Sequence, residues 1–535
     1  MLQQPQLPQR FRLQVKDIHS ILPRVPETIE DTGISTALIE DLILRRLFQA
    51  GRTSGLDLAH LLGLPYNGVV ETIIGRLIDD KKVEYTGGPG FGRPYFDYHL
   101  TDKGRDRAHE AFERSRYVGP APVPLSAYTS MIHKQMRDIV RVDRAELAAA
   151  FGDLVLEHAF IERLGPAVNS VRSLFLYGAP GNGKTSIAER IARVLRGEVF
   201  VPYALEVDGQ IIQIFDPLVH RPLVPISTPP GALPLQSDDE DLSPPTQLHM
   251  SVFPDDTDEL EVEEDRTVEA RIPQSFSRTH QLAEPGAAVS DSPPPSEAQS
   301  RDTMTRIVDV PPFDGRWVLT YRPRIIVGGE LTLENLDLIY NPSRFYEAPY
   351  QVKASSGMLL IDDFGRQKVH PTDLLNRWIV PLEKRVDYLT LETGKKFEIP
   401  FDLLIIFSTN IDPSKLVDEA FLRRIRYKIE VADPTEQAFR NIFKREAKRQ
   451  GIEFSQGILE YLMQKYYRRT GRPFRACHPR DILQLVADQA KFLGVKPSMT
   501  KKLIAQACES YFVHMEGSRS HDPEDDIDIE SLLSL

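Results

Sequence analysis

Gly178-Ala179-Pro180-Gly181-Asn182-Gly183-Lys184-Thr185 decides how this chain of 535 residues is read. It follows a short apolar run, Leu174-Phe175-Leu176-Tyr177, and opens into Ser186-Ile187-Ala188-Glu189-Arg190-Ile191-Ala192-Arg193-Val194-Leu195. Buried strand, glycine-rich turn and amphipathic helix succeed one another, the context in which a GxxxxGKT spacing has mechanical meaning. The glycines let backbone N–H groups turn inward around a polyphosphate, and the helix N-terminus adds the positive end of its dipole. In this reading the loop from Gly178 to Ser186 wraps the phosphates. Lys184 reaches the β- and γ-phosphates, and the Thr185 hydroxyl holds Mg²⁺.

Working outward, two further apolar runs end in polar side chains. Met358-Leu359-Leu360-Ile361 leads into Asp362-Asp363, and Leu403-Leu404-Ile405-Ile406-Phe407 into Ser408-Thr409-Asn410. Continuous apolar runs read as parallel strands buried on both faces, with functional groups gathered at their carboxyl ends. Asp362 then holds Mg²⁺ through water, and Asp363 orients or deprotonates the attacking water. Asn410 positions that water opposite the γ-phosphate. Next comes Asp418-Glu419-Ala420-Phe421-Leu422-Arg423-Arg424-Ile425. Paired arginines after a short helix suit a guanidinium that grips phosphate oxygens with bidentate geometry; a surface salt bridge is the plainer alternative.

The length calls for two or three domains. With 41% hydrophobic and 27% charged residues the composition is that of a soluble globular protein. The net charge of -12 is matched by Ser237 to Asp265 alone, which holds twelve Asp or Glu and no Lys or Arg. The remainder is near neutral, so bulk charge argues neither for nor against nucleic acid. Two cysteines, Cys477 and Cys508, lack metal-ligand spacing and suit a reducing compartment. No signal core and no membrane-length apolar run is present, so a cytoplasmic protein without membrane insertion is expected.

Taken in order, residues 1–33 are rich in Gln and Pro and read as a flexible N-terminal arm. From Ser35 to about residue 115, three helical patterns (Leu38 to Phe48, Leu56 to Leu62, Asn67 to Lys81) precede the strand Val83-Glu84-Tyr85, a glycine-rich tip, and a returning strand Tyr95 to Leu100. This small α+β module resembles a winged helix-turn-helix domain. Its third helix sets Arg76 and Lys81 against Glu71, Asp79 and Asp80, and the wing supplies Arg93, so the basic footprint of a DNA reader is missing. Protein docking is therefore preferred to DNA binding for this module. Residues 116–127 read as an extended linker. Helices follow around Tyr128 to Val140 and Arg144 to Leu164, and strands at Glu198 to Tyr203 and Gln210 to Phe215. Residues 227–306, rich in Pro, Ser, Asp and Glu, read as a disordered acidic insertion, a solvated spacer or a lure for basic partners. Strand patterns resume at Arg316 to Leu319 and Ile325 to Val327. Tyr340, Phe345, Tyr346 and Tyr350 then crowd together, as packing or as an aromatic grip on a threaded substrate. Tyr388 to Ile399, alternating about Gly394-Lys395, reads as a β-hairpin. Helices near Thr435 to Arg449, Gln456 to Tyr467, Arg480 to Phe492 and Thr500 to Val513 make a helical region with Arg468, Arg469, Arg472 and Arg475 in one turn. Residues 516–535 read as an acidic tail.

The ordered set GAPGNGKT, LLIDD, IIFSTN, DEAFLRRI and HPRDIL resembles the AAA+ ATPases, matching their two Walker motifs, sensor 1, arginine finger and sensor 2. The resemblance spans about residues 145–515 apart from the insertion. It implies an α/β fold: an αβα P-loop nucleotide-binding domain over 128–432, with a C-terminal helical lid over 433–515. It also implies active sites shared between subunits of a ring, usually a hexamer. By the same resemblance Arg480 is the sensor 2 arginine that contacts nucleotide, and Arg423 and Arg424 are finger candidates, with Arg424 preferred. Many members carry Asp-Glu where this chain has Asp362-Asp363; aspartate is one methylene shorter, so slower hydrolysis is expected. Asp-Asp is similar to the replication-initiator and helicase-loader branch, whereas the hairpin is similar to the branch with MoxR-type chaperones, protein unfoldases and ring helicases.

The expected function is that of an ATP hydrolase using ATP and Mg²⁺ to remodel a macromolecule, with a protein client. The alternatives are a DNA-associated ATP-switch regulator or loader that uses the winged helix, and a slow nucleotide-gated scaffold.

Overall fold

The computed structural model describes residues 21–88, 90, 92–137, 141–195, 197–223, 312–417 and 419–512. The expected acidic insertion 227–306, the tail 516–535 and residues 1–20 of the N-terminal arm lie outside them.

Helix α1 (Thr36–Ala50) starts where the Ser35 side chain accepts from Leu38 N and stops at Gly51. The short strand β1 (Arg52–Ser54), which carries no sequence signal, precedes α2 (Gly55–Leu62). The third helix, α3, runs only over Glu71–Asp79 rather than from Asn67, because extended Asn67 and left-handed Gly68 (φ 80°) break the approach. β2 (Val83–Thr86) and β3 (Asp97–Leu100) complete an antiparallel sheet of order β1-β3-β2, and α4 (Asp102–Arg114) closes the module. Leu42, Ile43, Leu47, Ile73 and Leu77 form its core, as their helical spacing requires.

The expectation of a flexible arm before this module is corrected over its described part. Residues 21–33 are docked, not free: Ile21 and Ile29 are buried, and Pro23 O accepts from Asp314 N. The extended linker expected over residues 116–127 is anchored to its surroundings. Ala121 N donates to Leu62 O, and Val123–Pro124 forms β4, which pairs with a later strand. The apolar side chains Tyr117, Ala121 and Val123 are interspersed among the prolines, and their burial fixes the segment.

Helix α5 (Leu125–Arg137) follows. The helix expected from Arg144 to Leu164 is two, α6 (Arg144–Ala150) and α7 (His158–Ser170), separated by a turn beginning at Gly152-Asp153. β5 (Ser173–Tyr177) then leads through the glycine-rich loop to α8 (Lys184–Val194). After β6 (Glu198–Pro202) a tight hairpin joins β7 (Ala204–Val207) to β8 (Gln210–Gln213). β7 has no counterpart among the sequence expectations, although Asp208-Gly209, both with positive φ, is the dipeptide that two-residue hairpins demand. β9 (Trp317–Tyr321), β10 (Arg324–Val327), β11 (Ile339–Tyr340), β12 (Tyr346–Glu347), β13 (Met358–Ile361), β14 (Val386–Thr390), β15 (Lys396–Pro400), β16 (Leu404–Thr409) and β17 (Tyr427–Glu430) complete the strands.

The central sheet is five-stranded and wholly parallel, in the order β10-β13-β16-β5-β17. Alternate residues of each strand serve opposite faces. Leu174, Leu176, Leu360 and Ile406 meet α6, α7 and α8 on one side, while Phe175, Leu359, Ile405 and Phe407 meet Trp378 and Phe401 on the other. Burial on both faces is why these strands read as unbroken apolar runs.

A second layer joins the mixed sheet β11-β12-β8-β7-β4, the pair β6–β9 and the hairpin β14–β15 around a separate core with α5. The hairpin buries Leu389, Leu391, Phe397 and Ile399 there. Tyr346 is buried in the same core and packs on Tyr340 with ring centroids 4.9 Å apart, and Phe345 meets Tyr117 edge-on. The crowded aromatics are thus largely packing. The C-terminal helices α9 (Glu436–Arg449), α10 (Gln456–Met463), α11 (His478–Phe492) and α12 (Lys501–Tyr511) enclose their own core around Phe439, Phe443, Leu462, Ile482 and Ile504. Among the described residues no helix is long and apolar enough to cross a membrane.

Candidate functional site

The strand order sets β5 beside β16 and β16 beside β13, so the loops leaving their carboxyl ends converge. Gly178 leaves β5 at φ 143°, and a Cβ there would lie 2.3 Å from Val431 O; only glycine lets the chain pass the end of β17 so closely. Gly181 and Gly183 also take positive φ, and the first turn of α8 then presents Lys184 and Thr185.

Lys184 is 6% exposed, and its Nζ donates to Gly178 O and Ala179 O at 3.0 Å each and to Asn410 Oδ1 at 2.6 Å. Burial lowers the pKa of this ammonium, opposed by Asp362 and Asp363. Thr185 Oγ1 donates to Asp362 Oδ2 at 2.7 Å. Asp363 N donates to Asp362 Oδ1 at 3.0 Å, and Asn410 Nδ2 donates to Asp363 Oδ1 at 2.8 Å. A lysine can only donate and a carboxylate only accept, so the orientation of the Asn410 amide follows from its neighbours. The structure therefore brings together Lys184, Thr185, Asp362, Asp363 and Asn410 in one hydrogen-bonded circuit.

Asp363 sits at φ 47°, a left-handed conformation that Asp adopts more readily than Glu. This gives a backbone reason for the second aspartate. Gln367, unsignalled in the sequence, braces the turn: its Nε2 donates to Asp362 O at 3.0 Å, and its Oε1 accepts from Gly365 N at 2.8 Å.

The circuit lies at the base of a cavity of about 1170 Å³ that the glycine-rich loop and Ser186 also border. The apolar side chains Leu154, Leu156 and Phe160 line it at the break between α6 and α7, where Arg190 Nε donates to Asp153 Oδ1 at 3.0 Å. Ala438 and Ile442 of α9 also line the cavity, and Arg480 borders it. The Arg480 guanidinium is largely exposed and paired with Asp481 at 2.8 Å.

Arg423 and Arg424 are not brought to this cavity. They precede β17, at the amino-terminal end of the sheet, where Ser173 Oγ donates to Arg424 O and Arg424 Nε pairs with Glu383 at 2.6 Å. Asp418, the first residue of their motif, lies outside the described residues. Three of the four clustered arginines of the C-terminal region are engaged within the chain. Arg468 bridges Glu436 and Glu460, Arg472 stacks over Phe512 at 3.6 Å, and Arg475 pairs with Asp433. Asp433 and Cys477, which no sequence motif assigns to the site, touch the glycine-rich loop: Asn182 Nδ2 donates to Asp433 Oδ1 at 2.7 Å, and Cys477 N to Gly181 O at 2.9 Å.

The donor set suits a polyphosphate with a hard cation. Hydroxyl and carboxylate oxygens stand together at Thr185 and Asp362. Among the described residues no group of three or more His, Cys, Asp or Glu is placed to hold a metal alone. A Mg²⁺ ion bound here would complete its shell with phosphate oxygens and water, its usual habit.

A family model described as a domain of unknown function (DUF8689) matches residues 435–510, the C-terminal helices. None of the curated proteins compared matches this chain. Among solved structures, NtrX from Brucella abortus is similar at 14% identity, over 39% of this chain and 49% of that one, with a TM-score of 0.28. NtrX from the same organism in complex with ATP is similar at 15% identity, over 34% of this chain and 44% of that one, with a TM-score of 0.26. A variant of RuvB from Thermotoga maritima is similar at 14% identity, over 35% of this chain and 52% of that one, with a TM-score of 0.23. The chain spans about half the length of the solved structures it matches.

Proposed function

We propose that this chain is a Mg²⁺-dependent ATPase of the AAA+ type that uses ATP binding and hydrolysis to remodel a macromolecular client, a protein in preference to DNA. The observation that carries the reading is the circuit Thr185–Asp362–Asp363–Asn410–Lys184, assembled from the carboxyl ends of three neighbouring parallel strands. The loop N–H groups and Lys184 bind the β- and γ-phosphates. Mg²⁺, held by Thr185 and through Asp362, supplies charge neutralisation at the transferring phosphoryl group. Asp363 orients the attacking water and accepts its proton, with its carboxylate fixed by Asn410. Arg480 reaches the nucleotide from the side of the C-terminal helices.

The position of Arg423 and Arg424 supports a site shared between subunits. A strand's length from their own cavity, they act, if on nucleotide, on that of a neighbouring copy in a ring. The N-terminal module, proposed as a winged helix, is a docking surface for protein. Its α3 and the turn after it offer Arg76 and Lys81 beside Glu71, Asp79 and Asp80, and Glu71 faces Arg93 at 3.9 Å, so acidic groups interrupt the basic ones that would meet a phosphate backbone.

The test is MgATP binding and turnover by the full chain, Lys184→Ala and Asp363→Asn. Lys184→Ala is expected to lose binding, whereas Asp363→Asn keeps it and turns over about 10²-fold more slowly. Undiminished turnover in both variants overturns the assignment.

A further inference from the structure

The outer side of the phosphate loop is gripped by the C-terminal region. Cys477 N donates to Gly181 O at 2.9 Å, and Ala476 N donates to Asn182 Oδ1 at 3.3 Å. The Asn182 side chain is 6% exposed and donates to Asp433 Oδ1 at 2.7 Å. That same carboxylate oxygen accepts from Arg475 Nη1. Asp433 stands in the connection from β17 to α9, and Arg475 in the turn before α11. Contact is close enough that a Cβ on Gly181 would lie 2.5 Å from Cys477 Sγ.

This arrangement has a physical cause. A loop that turns its N–H groups inward to a polyphosphate turns carbonyls and the Asn182 side chain outward. Buried polar groups left unpaired cost about 1–3 kcal/mol each, so the outward groups need partners. The partners come from the C-terminal region, and the shape of the loop and the seat of those helices are therefore set together.

We propose that Asp433 and Arg475 are positioning residues that lock the phosphate loop to the seated C-terminal helices through Asn182, so that affinity for a nucleoside triphosphate depends on this latch. The proposal rests on the nucleotide reading of the cavity. Asp433 borders the cavity, whereas Arg475 stands behind it, pairing with Asp433 beside Gly181. Because Asn182 and Arg475 share one carboxylate oxygen, the two bonds are coupled: losing Asp433 breaks both, and losing Arg475 frees the carboxylate that holds Asn182.

Asp433→Ala, Arg475→Ala, the double variant and Arg475→Lys are compared with the wild-type full chain by titration with a fluorescent ATP analogue and Mg²⁺, and by steady-state turnover. Both side chains are partly exposed, so the substitutions leave the cores intact. Each alanine variant is expected to weaken nucleotide affinity about tenfold, with KM rising in step and kcat changed less than about threefold. The double variant is expected to bind no worse than the weaker single one, and Arg475→Lys to recover most of the affinity. Wild-type binding with unaffected variants, or fully additive losses, overturns the latch alone. A wild-type chain that binds no nucleotide overturns the ATPase reading and the latch with it.

Discussion

The side-chain amide of Asn410 holds Lys184 at 2.6 Å through Oδ1 and, through Nδ2, ties that ammonium to the Asp363 carboxylate 2.8 Å away. One neutral amide thus spaces the Lys184 cation from the Asp363 anion. Asn410→Ala is expected to lower kcat about 10²-fold while leaving the Kd for MgATP within about threefold, because the amide acts on water geometry more than on ground-state binding. Stopped-flow binding alongside steady-state turnover separates the two, and equal losses in both would contradict this role.

Arg423 and Arg424 lead to a mixing experiment. In the proposed mechanism Lys184→Ala is expected to lose the phosphate loop's function and keep its arginines, whereas the doubly substituted Arg423→Ala, Arg424→Ala chain is expected to have the opposite defect. In a shared-site ring, mixing the two inactive proteins is expected to restore part of the wild-type ATPase rate. Mixtures no more active than either component would place no arginine in trans.

The Asp314–Arg316 pair stitches the N-terminal segments to the body. Both side chains are under 5% exposed, and Arg316 also donates to Thr32 O at 2.7 Å and Pro122 O at 3.3 Å. Arg316→Ala strands a buried carboxylate and is expected to cost about 3–5 kcal/mol. Its urea midpoint should fall clearly, and removing Asp314 as well should recover part of the loss. Equal midpoints for the single and double variants would argue against the stranded charge.

His220 makes stability pH-dependent. Fully buried, it accepts from Asp216 N at Nδ1 (3.0 Å) and meets Lys353 O through Nε2 (2.9 Å), which requires the neutral ring. Burial pushes its pKa down to about 4 from 6.5. The unfolded chain therefore binds the proton first, and the stabilisation present above pH 6.5 is lost as pH falls towards 4. Between about pH 7 and pH 5 the expected loss is about 2 kcal/mol. Melting curves of wild type and His220→Gln across that range check it: the variant should show a shallower decline.

Much of the site was legible before folding because its parts are local. Met358–Ile361 and Leu404–Phe407 are apolar runs that only a doubly covered strand explains, and the polar residues ending them are where such strands carry function. The rest was not legible where a local pattern had two solutions. The prolines of 116–127 gave an extended linker, but not that the tyrosine, alanine and valine between them are buried. The four arginines before α11 share one turn in the sequence, which does not show that acidic residues and Phe512 from elsewhere in the chain engage three of them.

By itself the sequence determined the phosphate-loop spacing, the strand ends at Asp362, Asp363 and Asn410, and the helical periodicity of the C-terminal region. Each follows from backbone geometry repeated over a few residues. Only the tertiary structure decided that Arg423 and Arg424 stand at the far end of the sheet, that residues 21–33 are docked, and that Asn182 meets Asp433. Those facts depend on strand order and on contacts between residues hundreds of positions apart, which no local period encodes.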